Sequence, residues 1–293
     1  MNSNLPYVFS VPTDWSRDFY CDKGPVIPAA RPFTLLHEPR AEKAVLLVHG
    51  FTGYPEELVR PAEDLYEKGF DCFVPRLPGH GTTGKDFIAS DDKDWVGVAE
   101  NALVDLLGKY KEVSVVGHSM GGAIAALIVS RHPEVKGAVL CCPGIELENM
   151  DKKTARILSV LSLFVKKMKK EWQSDPRYHL HYEGAPKDDE KLGEEYWKFL
   201  YPRNIVSLLR IAESAKAGLP DIKVRTLIIG AEKDALVVPD SVYTIQKAIG
   251  DRAETLLVKD ATHYVYYDIS QEAEETAVKA TVEFLQDKTS RTL

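Results

Sequence analysis

Cysteine is scarce in this sequence: four among 293 residues, Cys21, Cys72, Cys141 and Cys142, with no Cys-x-x-Cys spacing. A chain this long builds its own core without disulfide staples, and the spacing offers neither a zinc ligand set nor a dithiol redox motif. The four therefore read as small buried apolar groups, with Cys141 and Cys142, as strand neighbours, pointing to opposite faces. Long hydrophobic runs are missing as well. No stretch of roughly 18 apolar residues is present to span a bilayer, and the opening MNSNLPYVFSVPTDW lacks a basic segment followed by an apolar one. Together these absences predict a reducing, cytoplasmic setting. Positive charge is in deficit, 37 Lys and Arg against 44 Asp and Glu, and the net −7 leaves no overall footprint for nucleic acid. No phosphate-cradling glycine loop or Walker sequence is read from the chain.

What the sequence does have is a globular balance, 44% hydrophobic and 28% charged residues. Short apolar runs bounded by turn residues recur at Lys43–Val48, Asp71–Val74, Glu112–Val116, Gly137–Cys141, Val224–Ile229 and Thr255–Val258. Continuous runs of this kind fit strands buried on both faces. Helical stretches fall between them, at Glu56–Lys68, Lys93–Tyr110, Met120–His132, Asp240–Ile249 and Gln271–Gln286. Alternation of this sort predicts an α/β domain, a mostly parallel sheet flanked by helices, with an edge strand near Phe33–His37. The rhythm breaks between Pro143 and Ile222, where helical patterns continue without a convincing strand. The predicted organisation is thus a core of 1–142 and 223–293 interrupted by a helical cap, 143–222.

Gly117-His118-Ser119-Met120-Gly121-Gly122 lies between an apolar run and a helical one. This is G-x-S-x-G in strand–turn–helix context, where a tight turn lifts a serine hydroxyl above the sheet. Ser119 is the predicted nucleophile. A hydroxyl needs a base to take its proton and an acid to orient that base, and the chain order for this elbow is Ser, acid, His. His263, in a loop just past the last strand, is the base by position and by elimination of the other seven histidines. The acid is read as Asp234, at the end of Ile228–Asp234, ahead of Glu232. Asp240 is better explained as a helix N-cap, and Asp260, close to His263 in sequence, stays open as an alternative. The oxyanion donors are expected to be the backbone amides of Met120 and Phe51, with the Phe51 ring forming a wall of the acyl pocket.

HGFTG at 49–53, PRLPGHG at 75–81, GHSMGG at 117–122, Asp94-Trp95, EKD-x4-P at 232–239 and H-x4-D at 263–268 occur in that order. On these residues the sequence resembles the α/β-hydrolase superfamily, specifically small bacterial carboxylesterases and bacterial monoacylglycerol lipases. The resemblance implies the α/β-hydrolase fold with a lid. It also implies ester hydrolysis through an acyl-serine, with Ser119, Asp234 and His263 as triad, Phe51 and Met120 as oxyanion hole, and no metal or cofactor. The expected partner is a small-molecule ester, of short to medium acyl or aryl type. Alternatives are monoacylglycerol or lysophospholipid hydrolysis at a lipid interface, a serine aminopeptidase using Glu146, Glu148 or Glu183, and a non-catalytic ligand-binding relative. His118 reads as structural, and Gly79-His80-Gly81 as a turn behind the site.

Met150–Glu171 combines seven basic and two acidic residues with Ile157, Leu158, Val160, Leu161, Leu163, Phe164, Val165 and Met168. One reading is an interfacial helix giving transient contact with a lipid surface. The favoured one is a cap helix whose apolar side roofs the pocket, its charge offset by the acidic stretch Glu183–Glu195.

Overall fold

The computed structural model describes residues 1–2, 4–19, 22–150, 152–173 and 190–287. Cys21, His179, His181 and Glu183, with most of the acidic stretch that contains Glu183, lie outside the described residues. Ten strands are present among those described: β1 (Tyr7–Val8), β2 (Phe33–Leu35), β3 (Lys43–Val48), β4 (Phe70–Val74), β5 (Glu112–His118), β6 (Gly137–Cys141), β7 (Met168–Lys169), β8 (Phe199–Leu200), β9 (Arg225–Ala231) and β10 (Ala253–Val258). Eight of them form one sheet in the order β1-β2-β4-β3-β5-β6-β9-β10. From β4 to β10 every pairing is parallel; the β1–β2 and β2–β4 pairings are antiparallel, so β2 alone runs against the rest.

The apolar runs became central strands because helices cover both faces. Along β3, Leu46 and Val48 join one core cluster while Val45 and Leu47 join the other, the alternation a pleated strand imposes. On the first face lie α3 (Asp92–Leu107), α4 (Met120–Arg131), α6 (Pro202–Gly218) and α7 (Ser241–Ile249); on the second lie α1 (Val59–Glu67) and α8 (Gln271–Gln286). Two more helices, α2 (Gly84–Ala89) and α5 (Lys152–Leu161), lie above the sheet's carboxyl edge or in the segment between β6 and β9. No helix among the described residues is long and apolar enough to cross a membrane.

Several expectations need correction. The strand near Phe33–His37 is not at the edge, because Tyr7–Val8 pairs outside it. The segment between β6 and β9 is not strandless: β7 and β8 make a two-stranded antiparallel ribbon, too short to show as an apolar run. Asp240 occupies the N-cap position of α7, but its side chain makes no capping hydrogen bond. Cys141 and Cys142 do not point apart. The strand ends at Cys141, Cys142 turns to φ 42°, and both buried residues pack into the same core cluster.

A glycine loop is also present after all. Gly79-His80-Gly81-Thr82-Thr83-Gly84 has the G-x-G-x-x-G spacing, after β4 and at the start of α2. Its amides are already satisfied by acids, Gly79 N–H donating to Asp22 at 2.8 Å and Gly84 N–H to Glu195 at 2.9 Å. Carboxylates sit where a phosphate would need to be.

Candidate active site

Strand β5 ends at His118, and Ser119 follows at φ 56°, ψ −120°, a strained conformation for a residue with a side chain. The flanking glycines permit it. A Cβ on Gly121 would stand 2.0 Å from the Val48 carbonyl oxygen, and one on Gly117 would stand 2.1 Å from that of Gly121. Backbone bonds clamp the turn: Ser119 N–H donates to the Cys141 carbonyl at 2.9 Å, and the Ser119 carbonyl accepts from Gly144 at 2.8 Å.

The loop after β10 carries His263 back over this turn. Its Nε2 is 2.9 Å from Ser119 Oγ and its Nδ1 is 2.7 Å from Asp234 Oδ2. Asp234, just past β9, also accepts from the Leu236 and Val237 amides through Oδ1, at 2.8 and 2.9 Å. Burial opposes its charge, but the His263 bond and these amides outweigh it and hold the carboxyl below its usual range. For His263 burial wins instead: it lowers the pKa in spite of Asp234, which keeps the free imidazole neutral near pH 7. The rival acids are elsewhere. Asp260 pairs with Lys233 at 2.6 Å on the surface, and Glu232 accepts from the Asp260 amide at 3.0 Å.

The Ser119 hydroxyl opens into a cavity of about 580 Å³ lined mainly by apolar and aromatic groups. Phe51, Tyr54, Tyr264 and Tyr267 contribute from around the serine, and Leu147, Trp172, Trp197, Phe199, Tyr201 and Leu208 from the segment between β6 and β9. Phe51 is further fixed by edge contacts with Phe87 and Trp95, ring centres 5.3 and 5.9 Å away. Its amide and that of Met120, the first residue of α4, have no acceptor within the protein among the described residues. The Gly79–Gly81 turn lies behind, where His80 packs against His49 and Trp95. Burial pushes both His49 and His80 down to about 3, so they are neutral.

Of the stretch 150–171, Met150 and Lys170 line this cavity at its two ends, and none of the residues 153–169 does. Ile157, Val160, Leu163 and Phe164 are exposed, Leu163 by 76% and Phe164 by 82%, so this stretch does not roof the pocket as expected. The roof comes instead from β8 and its neighbours, whose aromatic residues outcompete α5 for the apolar wall.

Sequence reasoning gave no role to two side chains around the triad. Glu57 is buried beside His118 and accepts from Gly50 N–H at 3.3 Å and from Tyr267 O–H at 3.2 Å. Asp268 braces the histidine loop by accepting from Thr262 N–H and Oγ1–H at 2.6 and 2.8 Å. The available signal for Glu57 was an acid on the first turn of an amphipathic helix, where a surface position is the default. For metals, among the described residues the donor atoms of Cys142, Asp234 and His263 lie within 4.8 Å of one another. Two of the three are spent on the Asp–His bond, and the Cys141 hydrogen bond, with burial, pushes the Cys142 thiol well above its usual range.

A serine on a strand–helix elbow at the carboxyl edge of a parallel sheet, facing a histidine on the loop after the last strand, defines an α/β-hydrolase. Residues 39–270 match the family model described as serine aminopeptidase, S33, and the chain belongs to that family. It is 29% identical over 226 residues to a thermostable monoacylglycerol lipase of Bacillus sp. (strain H-257), spanning 77% of this chain and 82% of the relative. A carboxylesterase of Bacillus subtilis (strain 168) is 24% identical over 222 residues, spanning 75% and 82%. Among solved structures, one described under two metagenome-derived lipolytic enzymes, LipS and LipT, superimposes with a TM-score of 0.73 at 24% identity. It covers 89% of this chain and 99% of its own.

Proposed function

We propose that this protein is a serine carboxylesterase acting on short- to medium-chain or aryl carboxylic esters. The observation that carries the reading is the hydrogen-bonded series Ser119–His263–Asp234 at the floor of an apolar, aromatic-lined cavity. Ser119 Oγ attacks the ester carbonyl carbon as His263 Nε2 takes its proton. Charge on the carbonyl oxygen is met by the Phe51 and Met120 amides, each such donor typically worth ~10²–10³ in rate. His263 then protonates the leaving alkoxide, which departs as the alcohol, and water attacks the acyl-serine by the same steps in reverse. Asp234 holds the imidazole with Nε2 toward the serine. No metal or cofactor enters this sequence. The core is 1–142 and 223–293, and 143–222 is the cap that supplies the outer pocket wall. A cytoplasmic setting belongs to the same reading, supported by the free buried thiols Cys72, Cys141 and Cys142.

An aminopeptidase reading is weaker, because a substrate ammonium needs acids in the pocket. Glu146 pairs with Lys216 at 2.5 Å outside it, Glu57 is engaged with Gly50 and Tyr267, and Glu148 alone of the cap acids described reaches the wall. Monoacylglycerol hydrolysis at a lipid interface has a specific support in the exposed apolar and basic stretch around Leu163 and Phe164, which would let the cap dock transiently on anionic lipid. A panel of nitrophenyl esters and monoacylglycerols varying acyl and alcohol parts separately tests the proposal. Turnover of soluble esters with saturation below their solubility limit, lost in Ser119→Ala together with fluorophosphonate labelling, is the expected result. Activity confined to aminoacyl amides would sink it.

A further inference from the structure

A buried charged pair adjoins Ser119 that the ester chemistry itself does not consume. His118, the residue before the nucleophile, and Glu57, on the turn leading into α1, are both buried, with Nδ1 and Oε2 3.7 Å apart. That separation is an ion-pair distance, longer than a hydrogen bond. Each member holds a different loop. His118 Nε2 donates to the backbone carbonyl of His263 at 2.9 Å. Glu57 Oε2 accepts from Gly50 N–H at 3.3 Å, one residue before the Phe51 amide, and its Oε1 accepts from Tyr267 O–H at 3.2 Å. The carboxylate packs so closely under the Gly50 loop that a Cβ on Gly53 would stand 2.1 Å from Oε1.

We propose that His118 and Glu57 are positioning residues that lock the oxyanion loop, the nucleophile elbow and the histidine loop into one frame. The inference rests on the esterase reading above. Burial opposes the His118 imidazolium, but Glu57, together with Cys141 and the His263 carbonyl, outweighs it and its pKa rises to about 9. Glu57 is held below its usual range by His118 against the same opposition. Both are therefore charged at neutral pH. Stability does not account for such a pair, since apolar side chains of similar volume are often as stabilising in its place. Geometry does, because the pair reaches all three loops whose mutual placement sets the attack.

Three variants test this on the full-length chain with a soluble ester. The apolar pair His118→Leu/Glu57→Leu removes every tie without leaving an unpaired charge. It is expected to keep its melting temperature within a few degrees while kcat falls on the order of 10–100-fold, with KM within about threefold. Glu57→Gln keeps an acceptor for Gly50 N–H and should restore kcat to within about threefold of wild type. If the apolar pair does not fold, His118→Leu in the Glu57→Gln background removes only the tie to His263, and a further fall in kcat of about tenfold at constant KM is expected. Wild-type kcat in the folded apolar pair, or in His118→Leu/Glu57→Gln, overturns the inference and leaves the esterase reading standing. So does a loss confined to KM. A wild-type chain that turns over no ester overturns both.

Discussion

At the scale of single residues, the assignment of the acid is the sharpest test of the site. Asp234 accepts from His263 and two backbone amides, whereas Asp260 is bound to Lys233 on the surface. Asp234→Asn is expected to lower kcat by about 10²–10⁴, through loss of the oriented tautomer, while Asp260→Asn stays within twofold; steady-state kinetics on both separates them. The pH profile follows from His263. It must be neutral to accept the Ser119 proton, and burial places its pKa below the ordinary 6.5. Protonation therefore removes activity only as pH falls through that lowered value. The acid limb of kcat/KM should have its midpoint below 6.5, and a midpoint above it would contradict the burial of the imidazole. That Ser119, Asp234 and His263 would meet was legible in the sequence because each follows an apolar strand at a fixed point of the fold. The place of Glu57 was not, because an acid beside Glu56 on the turn leading into an amphipathic helix carries no mark of which way it faces.

Among the elements, the elbow and α5 make contrasting demands. Where β5 turns into α4, Gly121 approaches β3 so closely that Gly121→Ala has to push strand and helix apart. A loss of about 1–3 kcal/mol is expected in urea unfolding, together with loss of activity as Ser119 shifts. The central strands were readable from sequence since burial on both faces leaves an unbroken apolar run. Strands β7 and β8, two residues each, leave no period to detect, and β1 hides in a proline-rich opening. Helix α5 was read correctly as amphipathic but wrongly as a roof, because its apolar residues say that a face is to be covered and not by what. If a lipid surface is the cover, Leu163→Ser/Phe164→Ser should weaken flotation with phosphatidylglycerol vesicles at least fivefold and spare turnover of soluble esters. Equal flotation of wild type and variant would remove the lipid reading.

For the molecule as a whole, charge is divided more sharply than the net −7 conveys. Residues 150–171 carry +5, which leaves −12 for the remainder. An anionic surface would attract that segment and repel the rest, so any docking should be oriented and should weaken as salt rises. The β7–β8 ribbon gives this arrangement a fixed anchor. Lys170 N–H donates to the Lys198 carbonyl at 2.8 Å, so residues 170 and 198 are held together beside the pocket mouth whatever lies between them. Doubling the length of a chain closed in this way costs only about 0.6 kcal/mol. The ribbon is in effect a clasp: it fixes the two ends of the intervening segment beside residues that touch the catalytic floor, Trp197 donating to the Thr52 carbonyl at 3.2 Å and Glu195 accepting from Gly84 N–H at 2.9 Å.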